Sequence, residues 1–147
     1  MEFVMKPIGI LHSPFTEKEG TPIQPTRSNA SGWVEIFPEY TEALLGLEEF
    51  SHIILLYVFH QSDGYHLQVI PFLDDKTHGL FATRYPCRPN QIGLSIVQLL
   101  ARRENILDIE GADVLDGTPL LDIKPYVPEF DVRTNVKTGW YAQRSKE

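Results

Sequence analysis

Arg84 and Arg88 stand four residues apart in the stretch GLFATRYPCRPNQIG, residues 79 to 93, which also carries two prolines, an asparagine and two glycines. A guanidinium is a planar fork of donors that pairs with carboxylate or phosphate and stacks on flat groups, so two of them aimed outward call for an anionic or planar ligand. Pro86 and Pro89 fix φ and oppose a helix, Asn90 is placed to bond backbone locally, and the closing Gly93 admits conformations that other residues avoid. The segment is built to hold one shape. Arg84, Arg88 and Asn90 are binding candidates, with bracing of the loop itself the plainer role for Arg88.

A second dense segment is DVLDGTPLLDIKPYVP, residues 113 to 128. Asp116 and Gly117 are turn chemistry, Thr118 and Pro119 restart an extended chain, and Leu120, Leu121 and Ile123 anchor it. Read alone, this is a hairpin loop. Rigid turns with polar tips recur, however, at TPIQPT, FHQSDG, TRYPCRPN and LDGTP, and tips that converge make a pocket. Asp116 there would accept from a hydroxyl or amine. His60, at the end of an apolar strand, is either a satisfied barrel-end histidine or part of that pocket. Tyr126 is either a core aromatic or a stacking surface for a base, and Lys124 beside it is a further substrate candidate. His12, His52, His66 and His78 show no paired metal spacing, and Cys87 has no base motif near it in sequence.

The chain has 147 residues, of which 42% are hydrophobic, enough for one domain with its own core. Eleven prolines spread along it favour short strands and fixed turns over long helices. One cysteine excludes an internal disulfide and a cysteine-cluster metal site and fits the cytoplasm. The start, MEFVMKPIGILHSPF, lacks a secretory pattern, and the longest apolar run, IILLYVF, is too short to span a bilayer. No membrane partner is expected. The net charge of −7 is unevenly spread: Lys76 to Arg103 holds five basic residues and no acid, and Val132 to Lys146 holds four and none. The second stretch also contains Trp140 and Tyr141, and cations interleaved with aromatics suit phosphate contact and base stacking.

Candidate strands are VMKPIGILH, GWVEIF, SHIILLYVFH, YHLQVIPFL, GLFAT, ILDIEGADVL and PLLDIKPYV, while GLSIVQLLAR fits helix or strand by period alone. PEYTEALLGLEEF predicts a short helix opened by proline. The expected fold class is mainly β: a single closed or nearly closed β-barrel with one or two short helices, since closure removes the exposed edges. The domain reading is a barrel over residues 1–131 followed by a basic tail over 132–147.

IGILHSPF followed by TPIQP, then FSHIILLYVFHQ, FATRYPCRPNQIGLS and LDGTPLLDIKPY, in that order, resemble the TsaA-like domain of the tRNA methyltransferase O (TrmO) family from about Ile8 to Pro128. The resemblance implies a β-barrel methyltransferase using S-adenosyl-L-methionine, working as a homodimer with the cofactor near the subunit interface. It implies methylation of N6 of threonylcarbamoyladenosine at tRNA position 37. Cofactor contacts would fall on Ile23, Gln24, Pro25, His60, Gln61, Arg84, Leu94, Leu115, Asp116, Gly117 and Thr118. Substrate contacts are assigned to Arg88, Asn90, Lys124 and Tyr126. Tyr85 and Gln91 depart from the usual family residues beside the arginine loop.

Methyl transfer from a sulfonium is an in-line displacement that needs no metal, so the protein mainly positions two partners and excludes water. No metal is expected, and no residue stands out as the general base. Two other readings remain: an S-adenosylmethionine-binding protein without transfer, and a methyltransferase acting on a small molecule.

Overall fold

The computed structural model describes residues 1–16 and 30–143. Six strands close into an antiparallel barrel in the order β1-β2-β7-β6-β3-β8, with β1 Gly9–His12, β2 Ser31–Ile36, β3 His52–Val58, β6 Ile92–Arg103, β7 Ile106–Glu110 and β8 Thr118–Pro125. Closure is made by β1 against β8, where Gly9 lies opposite Leu120 and Leu11 opposite Thr118. The expected mainly β barrel is therefore present.

The longest strand explains both the closure and the ambiguity of GLSIVQLLAR. Along β6 the inward positions are Gly93, Ser95, Val97 and Leu99, while Ile92, Leu94, Ile96 and Leu100 face outward. With apolar residues on both faces the alternation vanishes from the sequence, although the backbone keeps its period of two. The first half of β6 pairs with β3 and the second with β7, and a register shift between Leu99 and Ala101 turns the corner between them. Inside, Leu11, Val34, Ile53, Leu55, Leu107 and Leu120 form the centre of the apolar core. Burying each such side chain contributes about 1.5–3 kcal/mol.

Other elements differ from the sequence expectations. PEYTEALLGLEEF forms two 3-10 turns, Pro38–Leu44 and Leu47–Glu49, instead of one helix, because Gly46 at φ +86° breaks the run and only Leu44 is buried. GLFAT is a 3-10 turn over Leu80–Ala82, closed by Thr83, whose N–H and hydroxyl both donate to the Leu80 carbonyl at 3.0 and 2.7 Å. Of YHLQVIPFL only Gln68–Val69 (β4) is extended and paired, with His78–Gly79 (β5), and Pro71 ends the run. The single α-helix among the described residues, α1, is Pro128–Asp131.

By internal contacts the chain divides into two compact units. The barrel unit comprises 1–60 and 92–126; the second unit comprises 61–91 together with 127 onward. In the second unit Trp140, on the 3-10 turn Gly139–Gln143, donates its indole N–H to the Ala82 carbonyl at 2.7 Å and stacks on His78 with ring centroids 5.3 Å apart. His78 Nε2 in turn lies 2.5 Å from Asp74 Oδ2. The C-terminal stretch, expected to present Trp140 to a nucleic acid base, thus commits its indole N–H and one ring face to the loop at 78–82.

Candidate functional site

Leu115–Thr118 forms a tight turn at the start of β8. Thr118 donates both its N–H, at 3.3 Å, and its hydroxyl, at 2.6 Å, to the Leu115 carbonyl. Gly117 sits at φ +86° with nothing within 4 Å of the position a Cβ would take, so backbone conformation rather than crowding selects glycine there. The turn is pinned to the end of β1: Asp116 N–H donates to Phe15 O at 2.7 Å and Gly117 N–H to Leu11 O at 2.9 Å. The Asp116 carboxylate faces the same way, accepting from Ser13 N–H at 3.1 Å and lying 3.2 Å from His12 Nδ1. His12 Nε2 is 3.1 Å from Glu35 Oε1, and the ring stacks on Trp33 at 4.8 Å. One imidazole therefore bridges two carboxylates on an aromatic support.

Beneath this turn runs a chain of buried polar groups. Tyr57 Oη is 2.7 Å from Ser95 Oγ, and Ser95 donates to Asp113 Oδ1 at 2.7 Å. All three residues are buried, Asp113 being 7% exposed. Gly93 makes room for the Tyr57 ring, since a Cβ there would collide with the Tyr57 and Phe59 rings. Burial pushes the Asp113 carboxyl up to about 7, against the opposing pull of the Ser95 hydroxyl and its own backbone N–H. Asp113 leads directly into the turn, and Val114 next to it is held by the Ser13 hydroxyl at 2.5 Å.

Within the barrel unit the structure gathers some of the predicted residues and separates others. β3 and β6 pair with Val58 opposite Ile92, and β3 and β8 with Tyr57 opposite Leu120, so His60, Leu94 and Leu115–Thr118 share one end of the barrel. His60 is exposed, its N–H donating to Val58 O at 2.8 Å; Leu94 points outward and is 41% exposed. Lys124 and Tyr126 lie at the far end of β8, about 20 Å away at the usual rise of a strand. Lys124 Nζ is 3.1 Å from Asp122 Oδ2, and the Tyr126 ring meets His52 edge-on at 6.4 Å. Ile23, Gln24 and Pro25 lie outside the described residues.

In the second unit Gln61, Arg84 and Asn90 are exposed. Arg88 turns back on its own loop, where Nη1 donates to the carbonyls of Thr83 and Tyr85 at 3.0 and 2.9 Å and the guanidinium lies 6.0 Å from the Phe81 ring centre. Gln91 Nε2 donates to Ser62 O at 2.5 Å and ties the two ends of the segment together. Arg88 and Gln91 thus brace the loop from within. Asp74, bonded first by His78 and also by Asp75 N–H, has its carboxyl held below the usual range.

His12, Ser13, Glu35, Tyr57, Ser95 and Asp113 carry the geometry of the barrel end, and the sequence reading missed them. The legible signals were Ser95, a lone hydroxyl inside an apolar strand, and a second aspartate three residues before Asp116. Among the described residues, no group of three His, Cys, Asp or Glu side chains is placed to hold a metal ion, and no helix is long and apolar enough to cross a membrane.

Residues 10–132 match the profile of the tRNA-methyltransferase O N-terminal domain. The chain is 57% identical over 136 residues to a probable S-adenosyl-L-methionine-binding protein of Pyrococcus abyssi, covering 92% of this chain and 74% of that one. It is 39% identical to the human tRNA (adenine(37)-N6)-methyltransferase, covering 89% of this chain and 32% of that enzyme. A crystal structure of TrmO from Pseudomonas aeruginosa superposes with a TM-score of 0.81 at 41% identity, over 95% of this chain and 63% of that one. The chain thus spans under two thirds of the solved structure and about a third of the human relative. With a profile match over most of its length and a shared barrel at this identity, the chain belongs to the tRNA-methyltransferase O N-terminal domain family.

Proposed function

We propose that the chain is an S-adenosyl-L-methionine-dependent methyltransferase acting on N6 of adenosine 37 in tRNA, in its threonylcarbamoylated form. The observation that carries this reading is the convergence of His60, Leu94 and Leu115–Thr118 at one end of the barrel, on segments that match the family. The donor set there fits the cofactor. Asp116 offers a carboxylate to hydroxyl or ammonium groups, the turn offers backbone groups held by four hydrogen bonds, and Leu94 offers exposed apolar surface to a purine. When bound, the cofactor supplies an electrophilic methyl on a sulfonium. The residues of the chain then orient, desolvate and align.

Ile23, Gln24 and Pro25 carry the same proposal outside the described residues, and Gln61 and Arg84 carry it within the second unit. Arg88, Asn90, Lys124 and Tyr126 remain the proposed substrate contacts. A homodimer is supported by the outward face of β6, where Ile92, Leu94, Ile96 and Leu100 form an exposed apolar row on an otherwise paired strand. A cytoplasmic enzyme acting on tRNA is consistent with its single cysteine.

Mass spectrometry of tRNA nucleosides from cells with and without the gene tests the substrate. Loss of methylated threonylcarbamoyladenosine alone supports it; an unchanged nucleoside profile contradicts it. The second reading, a cofactor-binding protein without transfer or one methylating a small molecule, is favoured by the Pyrococcus abyssi relative, a probable S-adenosyl-L-methionine-binding protein, and by the acidic balance of the chain. It predicts cofactor binding with no change in any tRNA nucleoside.

A further inference from the structure

Inside the barrel, the line Tyr57, Ser95, Asp113 links three elements through buried side chains. Tyr57 belongs to β3, Ser95 to β6 beside Leu94, and Asp113 to the loop that becomes the Leu115–Thr118 turn. Because Ser95 donates to Asp113, its oxygen is left to accept from Tyr57, so the chain of hydrogen bonds has a direction set by the carboxylate. A protonated Asp113 becomes a donor, and the line reverses.

We propose that Tyr57, Ser95 and Asp113 form a positioning relay that sets the Leu115–Thr118 turn, so that the charge on one buried carboxyl governs how well the turn holds its ligand. The inference rests on the reading of that turn as a cofactor contact. A buried carboxylate with one hydroxyl donor and its own backbone N–H is poorly compensated, and the route to water is movement of its loop. That movement displaces Val114 from the Ser13 hydroxyl, and with it the turn. Titratable groups on the neighbouring elements are His12 of β1, Glu35 of β2, His52 and Tyr57 of β3, Arg102 and Arg103 of β6, Asp108 and Glu110 of β7, Asp122 and Lys124 of β8, and Asp116 of the same loop. Of these only Tyr57 joins the line, through Ser95.

Calorimetric titration of the full chain with S-adenosylmethionine, from about pH 5.5 to about pH 8.5, tests the relay because the carboxyl titrates near the middle of that range. The wild type is expected to lose affinity as the pH rises through neutrality, and Asp113→Asn to bind tightly with a flat profile. Ser95→Ala should bind roughly two- to tenfold more weakly, the size of one neutral hydrogen bond. It should also move the midpoint of the profile upward, because the Ser95 bond favours the charged form. A purely structural role would lower the melting temperature and leave that midpoint in place. Should Asp113→Asn fail to fold, the Ser95→Ala midpoint decides alone. An unshifted midpoint with wild-type affinity overturns the relay. Asp116→Ala separates the two ideas: weakened binding there with an unchanged Ser95→Ala profile overturns the relay alone, whereas wild-type binding by Asp116→Ala overturns the reading of the turn and the relay with it.

Discussion

Two turns of this molecule hold their shape by opposite means. In the barrel unit, Leu115–Thr118 is fixed from below by acidic and hydroxyl side chains: Asp116 on His12 and Ser13, and Asp113 on Ser95 and Tyr57. In the second unit, the segment Thr83–Gln91 is fixed by nitrogen donors that reach its carbonyls, Arg88 on Thr83 and Tyr85, with Trp140 on Ala82 just before it. One turn depends on titratable groups and the other on groups that keep their protons. The first should respond to pH and the second to truncation of distant sequence.

The largest expected effect separates them by pH. The folded Asp113 carboxyl titrates near 7, above its unfolded value of 3.8, so the stability it allows is complete below about pH 4 and is lost as the pH rises towards about 7. The loss is on the order of 4 kcal/mol for a shift of this size. Denaturant titration should show the wild type weakening over that window and Asp113→Asn holding level. Glu48, held low first by its own backbone N–H, and Asp74 and Asp108, held low by His78 and Arg103, act in the opposite sense, losing stability only as the pH falls below the usual carboxyl range. A flat wild-type profile between pH 4 and pH 7 would break the contrast between the two turns.

Next in size is Trp140→Ala, which removes a half-buried ring and the hydrogen bond to Ala82. Local opening of the 78–91 segment should become easier by about 2–3 kcal/mol, read by amide hydrogen exchange, with the amides of β6 unaffected. Uniform loss of protection across both units would show that Trp140 stabilises the whole chain instead.

Arg84→Ala should weaken cofactor or substrate binding roughly tenfold to a hundredfold, the range of a charged hydrogen bond, while the chain stays folded. Unfolding would make Arg84 a bracing residue like Arg88. The smallest effect belongs to Arg133 and Lys137. If they meet phosphate, replacing either with alanine lowers the log-log salt slope of tRNA binding by roughly 0.7–0.9 per contact. Point changes are the sharper test here, because truncation after Asp131 also removes Trp140 from its loop.

Much of this architecture was readable from residue patterns, and its limits are physical. Alternating strands, proline-fixed turns and the Asp116-Gly117 turn were visible because each rests on local preference. The strand character of β6 was hidden because both of its faces are apolar, Ile92, Leu94 and Ile96 outward and Val97 and Leu99 inward. GLFAT read as a strand, yet a threonine that bonds three residues back closes it as a turn. The relay was invisible because Tyr57, Ser95 and Asp113 are far apart in sequence and meet only when the barrel closes. Trp140 looked like a stacking surface because nothing local reveals that its N–H is owed to Ala82, 58 residues away.

The account stands or falls on cofactor binding at the barrel end, and calorimetry of S-adenosylmethionine with the wild type and Asp116→Ala near pH 6.5 measures it directly. Saturable heat from the wild type, unaffected by a chelator and at least roughly tenfold weaker in a folded Asp116→Ala, is the predicted result. No heat and no thermal shift from folded wild-type protein at high cofactor concentration would contradict it.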